Sequence, residues 1–170
     1  MEGILPGDYI AGFVDGEGCF ALKFRRDVRH DRKNKPVYFS WDIEFAILLK
    51  ADDKEILELI RDTLDCGRVG NTNKNGAVRY AVNDINDLTN KVAPFFKKYL
   101  LRAKKRHDFE LWKEAVKIFK RNQRTGINAG PGGFQRTNWD QKDLERLHAI
   151  KIEMNKYKGG NRHEWKWLKK

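Results

Sequence analysis

Long apolar runs, cysteines and metal-like histidine spacings are all scarce in this 170-residue sequence. No apolar run approaches the roughly 20 residues needed to span a bilayer, which argues against a membrane partner. Residues 1–6 lack the basic region and apolar stretch of a secretory signal. The two cysteines, Cys19 and Cys66, have no metal-ligand spacing and are too few for a disulfide framework. These absences predict an intracellular protein with free thiols, in a prokaryotic cytoplasm or an organelle.

Positive charge, by contrast, is in excess. The sequence has 35 Lys and Arg against 24 Asp and Glu, a net charge of +11. Such a surplus favours a polyanionic partner such as nucleic acid, although a solvated basic surface would give the same count. Apolar residues make up 40% of the chain, which is enough for the core of one domain.

The spacing of apolar residues predicts an α+β fold in the order α-β-β-α-β-β-α, followed by further helices. The predicted helices are 7–16, 52–65, 84–99, 103–121 and 138–157, and the predicted strands are 19–26, 37–47, 68–73 and 77–83. Apolar and polar residues alternate with a period of two along 37–47, so one face of this strand suits a core. An antiparallel sheet with helices on one face would leave its other face open for a ligand.

The chain is predicted to be a single domain with two parts. Residues 1–121 form the core, and residues 122–170 form a basic C-terminal extension packed on it. The extension begins with a glycine-rich loop, continues as a helix at about 138–157, and ends in a basic tail with Trp165 and Trp167. These two side chains could stack on bases, but packing against the chain's own core is the commoner outcome.

Residues 9–18 read Tyr-Ile-Ala-Gly-Phe-Val-Asp-Gly-Glu-Gly. Gly12 and Gly16 lie on one face of the predicted helix and would let a second helix approach closely. Asp15 and Glu17 fall at the end of the helix, where its dipole disfavours a carboxylate by about 0.3–1 kcal/mol. A local preference broken in this way indicates a functional site.

This ten-residue segment resembles the LAGLIDADG motif of the homing endonucleases, and the pattern of elements extends the resemblance over most of residues 7–121. The resemblance implies the αββαββα endonuclease fold and an intron-encoded enzyme. Such an enzyme cuts both strands of double-stranded DNA at a long recognition site and leaves 3′ overhangs. Because the motif occurs once, the resemblance implies a homodimer, with Gly12, Gly16 and Phe13 where the two motif helices meet.

The resemblance also implies the catalytic residues. Glu17 is expected to bind Mg²⁺ with the backbone carbonyl of Gly16 as a second ligand, whereas Asp15 is expected to be structural. Mn²⁺ is expected to substitute for Mg²⁺, and Ca²⁺ to bind without supporting cleavage. Lys105, or Lys104 as the second choice, is expected near the scissile phosphate. A basic helix start that only touches backbone phosphates explains these lysines equally well.

The polar face of the sheet is the expected DNA-binding surface. Its candidate residues are Lys23, Arg25, Ser40, Asp42, Glu44, Lys50, Arg68, Thr72 and Arg79. Arg can bind guanine through O6 and N7, and Asp or Glu can accept from cytosine N4. For Asp42 and Glu44, a solvated strand face is an equally good explanation. Where some family members have a water-ordering Gln, this sequence has Leu49, with Lys50 as the candidate substitute.

Two other functions are compatible with the same fold. One is an RNA-splicing maturase that binds intron RNA, and the other is a DNA-binding regulator without catalytic activity. The presence of Glu17 at the motif acid favours the nuclease over both.

Overall fold

The computed structural model describes residues 4–28, 33, 37–123 and 139–156. The elements in chain order are α1 (Gly7–Glu17), β1 (Gly18–Val28), β2 (Val37–Lys50), α2 (Lys54–Leu64), β3 (Arg68–Val69), β4 (Ala77–Val82), α3 (Ile85–Asp87), α4 (Ala93–Lys98), α5 (Lys105–Asn122) and α6 (Gln141–Asn155). A 3₁₀ turn, Ala51–Asp53, leads into α2, and a π-helical turn, Leu88–Val92, joins α3 to α4. The predicted α+β class is confirmed.

The four strands form one antiparallel sheet in the order β1-β2-β4-β3. The longest strand, β2, has 14 residues and lies between β1 and β4. Its registers run from Gly18↔Ile47 to Val28↔Val37 with β1, and from Phe45↔Val82 to Lys50↔Ala77 with β4. Side chains alternate between the two faces of the sheet, and the helices cover the apolar face. We call the other face the open face.

An aromatic cluster joins the sheet to the helices. The ring centroid of Phe20 lies 5.1–5.5 Å from those of Phe45, Phe96, Phe109 and Trp112. Each such pair contributes about 0.5–1.5 kcal/mol beyond the burial of its area. The buried indole of Trp112 also donates to the backbone carbonyl of Glu44 at 3.1 Å. This hydrogen bond ties α5 to the middle of β2.

The second hairpin is shorter on one side than predicted. Only Arg68–Val69 forms a strand, whereas the sequence predicted 68–73. The side chain of Asn73 accepts hydrogen bonds from the backbone amides of Asn75 and Ala77 at 2.9 and 3.0 Å. This turn, organised by the Asn side chain, takes the residues before it out of the regular ladder.

The predicted helix 84–99 is divided into α3, a π-helical turn and α4. Pro94 lies in the first turn of α4 and has no backbone N–H to continue an α-helical ladder from the preceding turn. A wider turn before the proline accommodates the missing donor.

The two long strands extend past the helices. Phe39 was predicted on the core face, but it is 47% exposed because β1 and β2 continue beyond the covering helices. Its ring packs against that of Phe24 at a centroid distance of 5.8 Å. No helix in the described ranges is long and apolar enough to cross a membrane.

The C-terminal helix α6 packs on α5. Its apolar side chains Leu147, Ile150 and Met154 are buried in the core. At the edge of this contact, Asp143 accepts from Arg121, with Nε 2.8 Å from Oδ2, and from Asn122 Nδ2 at 2.6 Å. These hydrogen bonds, the Arg121 bond first, lower the pKa of Asp143 to about 2. The division of the chain after residue 121 stays a prediction, and the predicted loop from residue 124 and the tail with Trp165 and Trp167 lie outside the described residues.

The pKa of Asp143 predicts how acid affects the docking of α6. Because its folded-state pKa lies below the ordinary value of 3.8, its contribution is fully present above about pH 4 and is lost as the pH falls through about 2. Asp143→Asn should lower the free energy of unfolding at neutral pH by about 1–3 kcal/mol, since the buried amide of Asn122 and the more exposed Arg121 lose a charged acceptor. Its stability should also vary less with pH between about 4 and 2.

Urea unfolding followed by circular dichroism at several pH values measures both effects. Glu145→Gln changes an exposed acid on the same helix and is the matched control. Equal stability of Asp143→Asn and Glu145→Gln at every pH would contradict this role of Asp143.

Candidate functional site

The candidate site begins where α1 passes into β1 without a linker. Ile10, Ala11 and Val14 are buried and anchor the helix in the core. The backbone N–H of Gly18 donates to Val14 O, and the same residue begins β1. A Cβ at position 18 would lie 2.5 Å from the Val14 side chain, so this junction needs glycine. The abrupt ending leaves the last carbonyls of α1 available to groups outside the helix.

Lys105 binds these carbonyls. Its Nζ donates to Asp15 O at 2.9 Å and to Gly16 O at 2.6 Å. A cation at this place complements the negative end of the helix dipole. The neighbouring side chain of Lys104 is exposed just before α5. The lysine that was the first choice from the sequence therefore lies at the end of the motif helix.

Asp15 connects the motif helix to the start of α5. Its Oδ2 accepts from the backbone amides of Arg102 at 2.7 Å and Ala103 at 3.2 Å. Its Oδ1 is buried and has no hydrogen-bond partner among the described residues. Together with Lys105, Asp15 links the two elements from both sides, and the structural role expected of it stays a prediction.

Glu17 has a different environment from Asp15. It is exposed at the last position of α1, and in the described part of the chain no hydrogen bond or ion pair engages its carboxylate. The side chain is therefore accessible to a ligand that approaches the junction of α1 and β1.

The oxygen atoms at this junction are suitable ligands for a hard divalent cation. Glu17 offers a carboxylate, and the carbonyl oxygen of Gly16 has a second lone pair beside the one that accepts from Lys105. Oxygen ligands of this kind are those that Mg²⁺ prefers. No group of three or more His, Cys, Asp or Glu residues within the described ranges could hold a metal. One chain thus offers two such oxygen atoms, and a metal bound there would need further ligands from a second chain, water or substrate.

One face of α1 is open. Gly12 and Gly16 are exposed, and an added Cβ at either position would meet no described atom within 4 Å. Beside them Tyr9, which is 48% exposed, stacks on Phe13 with a centroid distance of 6.2 Å. Phe13 is half-buried and packs against the core. This glycine face is smooth enough for another helix to approach closely.

The structure brings most of the predicted DNA contacts onto the open face of the sheet. Arg25 and Asp42 form an ion pair at 2.5 Å, and Arg79 Nη2 binds Glu44 Oε1 at 2.8 Å. Lys23 also pairs with Glu44. The remaining candidates have no such contacts with other described residues: Ser40 is half-buried, Arg68 and Lys50 are exposed on strands, and Thr72 is exposed outside them.

The sequence suggested that the carboxylate of Glu44 accepts a hydrogen bond from a DNA base, but in the structure this carboxylate is not available to a base. Its side chain is only 12% exposed. Burial by itself would raise the pKa of the carboxyl, but hydrogen bonds from Lys23 and Arg79 outweigh burial and hold the pKa below its ordinary value. The carboxylate is therefore ionised near neutral pH and occupied by the two cations.

Leu48 is a residue of the open face that the sequence analysis missed. It is 54% exposed and pairs across the strands with Arg79. The period-two pattern would have placed it there if the strand had been extended to its observed end at Lys50. Leu49, one position on, packs against the core, so Lys50 rather than Leu49 lies on the open face.

The sequence matches known proteins over most of its length. A family model described as LAGLIDADG endonuclease matches residues 10–116. A probable intron-encoded endonuclease 2 of Neurospora crassa is 30% identical over 126 residues, which cover 72% of this chain and 26% of that protein. A probable intron-encoded DNA endonuclease 1 of Mycosarcoma maydis is 33% identical over 93 residues, which cover 55% of this chain and 31% of that protein. The chain thus spans between a quarter and a third of the length of these two relatives.

Solved structures share the fold. The homing endonuclease I-TnaI is similar with a TM-score of 0.67 and 26% identity, over 89% of each chain. The LAGLIDADG homing endonuclease I-LtrWI bound to target DNA has a TM-score of 0.68 and 26% identity, over 89% of this chain and 44% of that chain. I-SmaMI bound to an uncleaved DNA target in the presence of calcium ions has a TM-score of 0.68 over 88% of this chain and 45% of that chain. At 23% identity, I-SmaMI shows the shared fold alone.

The hydrogen bonds of Asp15 predict a loss of stability when they are removed. Asp15→Ala should lower the free energy of unfolding by about 1–3 kcal/mol, because two backbone amides before α5 lose a charged acceptor. Asp8→Ala removes an exposed acid from the first turn of the same helix and should cost about 0.3–1 kcal/mol. Chemical unfolding of both variants compares the two effects. A loss for Asp15→Ala no greater than that for Asp8→Ala would exclude the structural role.

Proposed function

The chain belongs to the LAGLIDADG endonuclease family, and from this membership we propose that it is a homing endonuclease that cuts both strands of double-stranded DNA at a long, specific site. The observation that carries the proposal is the exposed Glu17, placed where the motif helix passes directly into β1. The names of the relatives as intron-encoded endonucleases support it, and they do not favour a maturase.

Two copies of the chain would complete the enzyme. A helix face that carries Gly12 and Gly16 without neighbours suits an isologous contact, in which the same surface of both copies meets across a two-fold axis. The I-LtrWI chain, of which this chain covers 44%, has about the length that two units of this size would need. Pairing through α1 would bring two Glu17 carboxylates together, and a cation between them relieves their repulsion.

Glu17 and the Gly16 carbonyl would hold the metal, which we propose to be Mg²⁺. A bound divalent cation supplies Lewis-acid stabilisation of a phosphoryl group and lowers the pKa of water. The Glu17 carboxylate of one copy would hold the metal beside one DNA strand. The Glu17 carboxylate of the second copy would do the same beside the other strand.

Lys105 supplies positive charge to the same place. Held against the carbonyls of Asp15 and Gly16, its ammonium group is fixed in orientation without a carboxylate partner among the described residues. In that position it would stabilise negative charge that develops on a phosphate in the transition state. Lys104, exposed next to it, would neutralise a neighbouring phosphate of the DNA backbone.

The open face of the sheet would bind the duplex. A β-ribbon of this kind fits the major groove of DNA, where Arg can read guanine. The candidate contacts are Lys23, Arg25, Ser40, Asp42, Lys50, Arg68, Thr72 and Arg79. With the motif helices on the two-fold axis, the two active sites would lie across the minor groove and leave short 3′ overhangs.

The proposed function is tested by selecting cleaved sequences from a randomised duplex library in the presence of Mg²⁺. A plasmid that carries the recovered site should be linearised with Mg²⁺ or Mn²⁺ and should remain uncut with Ca²⁺. Recovery of no cleaved site from a well-folded preparation would contradict the nuclease function.

Glu17→Gln should keep the fold and lose the reaction. The amide preserves the size of the side chain but removes the charge that holds the metal, so cleavage should fall at least about a hundredfold. Binding of the selected duplex in Ca²⁺ or without metal should persist, as measured by gel shift. Glu55→Gln, an exposed acid at the start of α2, is the control and should cut normally. Normal cutting by Glu17→Gln would exclude the proposed metal site.

Gly12→Leu and Gly16→Leu should separate the two copies without unfolding either. In the single chain an added side chain meets open space at both positions, and leucine favours a helix over glycine by about 1 kcal/mol. Sedimentation velocity should therefore show folded monomers that do not cut DNA. Ala149→Leu places the same side chain at an exposed position of α6 and should remain dimeric. If Gly12→Leu still dimerises and cuts, the interface lies elsewhere.

A further inference from the structure

Glu44 is an acid at the centre of a face that is otherwise suited to phosphates. It lies on β2, the strand between β1 and β4, and its side chain is only 12% exposed. A buried carboxylate is costly unless cations and hydrogen bonds compensate it. Here the compensation comes from the two neighbouring strands, with Lys23 on β1 and Arg79 on β4.

The strand register shows that Lys23 and Arg79 both contact Glu44 diagonally and not as its direct cross-strand neighbours. Lys23 stands opposite Asp42, and Arg79 stands opposite Leu48, so neither is the direct cross-strand neighbour of Glu44. Both side chains lean along the sheet toward the same oxygen, Oε1. They therefore lie across the open face instead of extending away from it.

Small residues leave room for this arrangement. The direct neighbour of Glu44 on β1 is Ala21, and the next pair toward the end of β2 on this face is Ala46 with Ala81 of β4. Ala46 is 3% exposed, and its small side chain does not fill the space beside Glu44. The small side chains of these three alanines leave space beside Glu44 for the long side chains of Lys23 and Arg79.

Asp42, the second acid of the open face, is more exposed than Glu44. Asp42 also pairs with a cation, Arg25 at 2.5 Å, but both side chains are largely exposed, at 41% and 56%. Exposed pairs of this kind contribute little and exchange freely with solvent or phosphate. The covered position and the two partners of Glu44 distinguish it from a surface ion pair.

We propose that Glu44 is a positioning residue for sequence recognition, which holds Lys23 and Arg79 across the sheet so that their remaining donors meet base edges rather than phosphates. The inference rests on the proposed function, since it requires that the open face bind DNA. It replaces the role of base acceptor that the sequence suggested for Glu44. The guanidinium group of Arg79 keeps further N–H donors when one nitrogen is bound to Glu44, and such donors can read guanine in the major groove.

Charge explains why the acid would improve discrimination. A free Lys or Arg on this face would bind any phosphate within reach, and phosphate contacts add affinity without sequence information. Glu44 neutralises one of the two cations and restrains both. The general affinity for DNA is then lower, but the difference in affinity between the correct and incorrect sequences is larger.

The test compares Glu44→Ala, Glu44→Gln and wild-type dimers on two probes. The first probe is a fluorescent duplex of random sequence of about 40 base pairs, titrated at several salt concentrations with Ca²⁺. The second is a randomised duplex library, from which bound sequences are recovered and counted. Glu58→Ala is the matched control, because it removes a partly exposed acid that pairs with Lys54 at 3.2 Å on α2, on the covered side of the sheet.

Release of the two cations should change both readouts. For Glu44→Ala, the slope of log affinity against log salt should steepen by about 0.9 for each cation that reaches a phosphate, up to about 1.8 per protomer. Affinity for the random duplex should rise about three- to tenfold at low salt. The recovered library sequences should lose base preference at the positions read by Lys23 and Arg79. Glu44→Gln, which keeps the size of the side chain, should shift both readouts in the same direction.

Three results would overturn the inference. One is a salt slope and a base preference in both Glu44 variants that match those of Glu58→Ala. Another is a lost preference at a single base pair with no change of slope, which would make Glu44 itself the base contact. The third is lower affinity for both probes in folded Glu44→Gln. Failure of the wild-type protein to bind either probe would instead count against the proposed function, so the two failures are distinguishable.

Discussion

The passage from α1 into β1 at Gly18 is the constraint on which the site depends. Because Gly18 both closes the last turn of the helix and begins the strand, the carbonyls of Asp15 and Gly16 lie at the edge of the sheet. Lys105 and the backbone before α5 then bind this end of the helix from outside. A linker of even a few residues would separate the motif acid from the sheet. The short junction therefore joins the proposed catalytic acid, Glu17, directly to the strand that carries part of the proposed DNA-binding face.

The two faces of the sheet divide stability from function. The covered face holds the aromatic cluster around Phe20, and Trp112 links α5 to the backbone of β2. Because this side is fixed by packing and by a buried hydrogen bond, the open face can carry charged residues without loss of the fold. Its charges are also ordered: one acid is covered and shared by two cations, while another remains in an exposed pair. Among the described residues, the open face therefore carries cations that an acid restrains, Lys23 and Arg79, beside exposed ones such as Lys50 and Arg68.

Much of this arrangement was predictable from local pattern. The motif at residues 9–18 and the alternation along β2 predicted the motif helix, the sheet and the face that points away from the core. The features that were not predictable depend on contacts between distant residues. Strand β3 is short, and the side chain of Asn73 organises the turn that follows it, while Phe39 is exposed because β1 and β2 continue past the helices that the structure describes. Glu44 has the same strand parity as Asp42, and only the three-dimensional reach of Lys23 and Arg79 separates a covered acid from an exposed one.

We propose that two copies of this chain, joined through the motif helix, form one enzyme in which each copy contributes Glu17. Mixing wild-type and Glu17→Gln chains, with subunits exchanged by co-refolding, tests it directly on a plasmid that carries the selected site. If double-strand cleavage needs two intact copies, an equal mixture should linearise plasmid at about one quarter of the wild-type rate at the same total protein, because random pairing leaves only that fraction of intact dimers. A rate of about one half, in proportion to the wild-type chains present, would show that each copy cuts alone and would contradict the account.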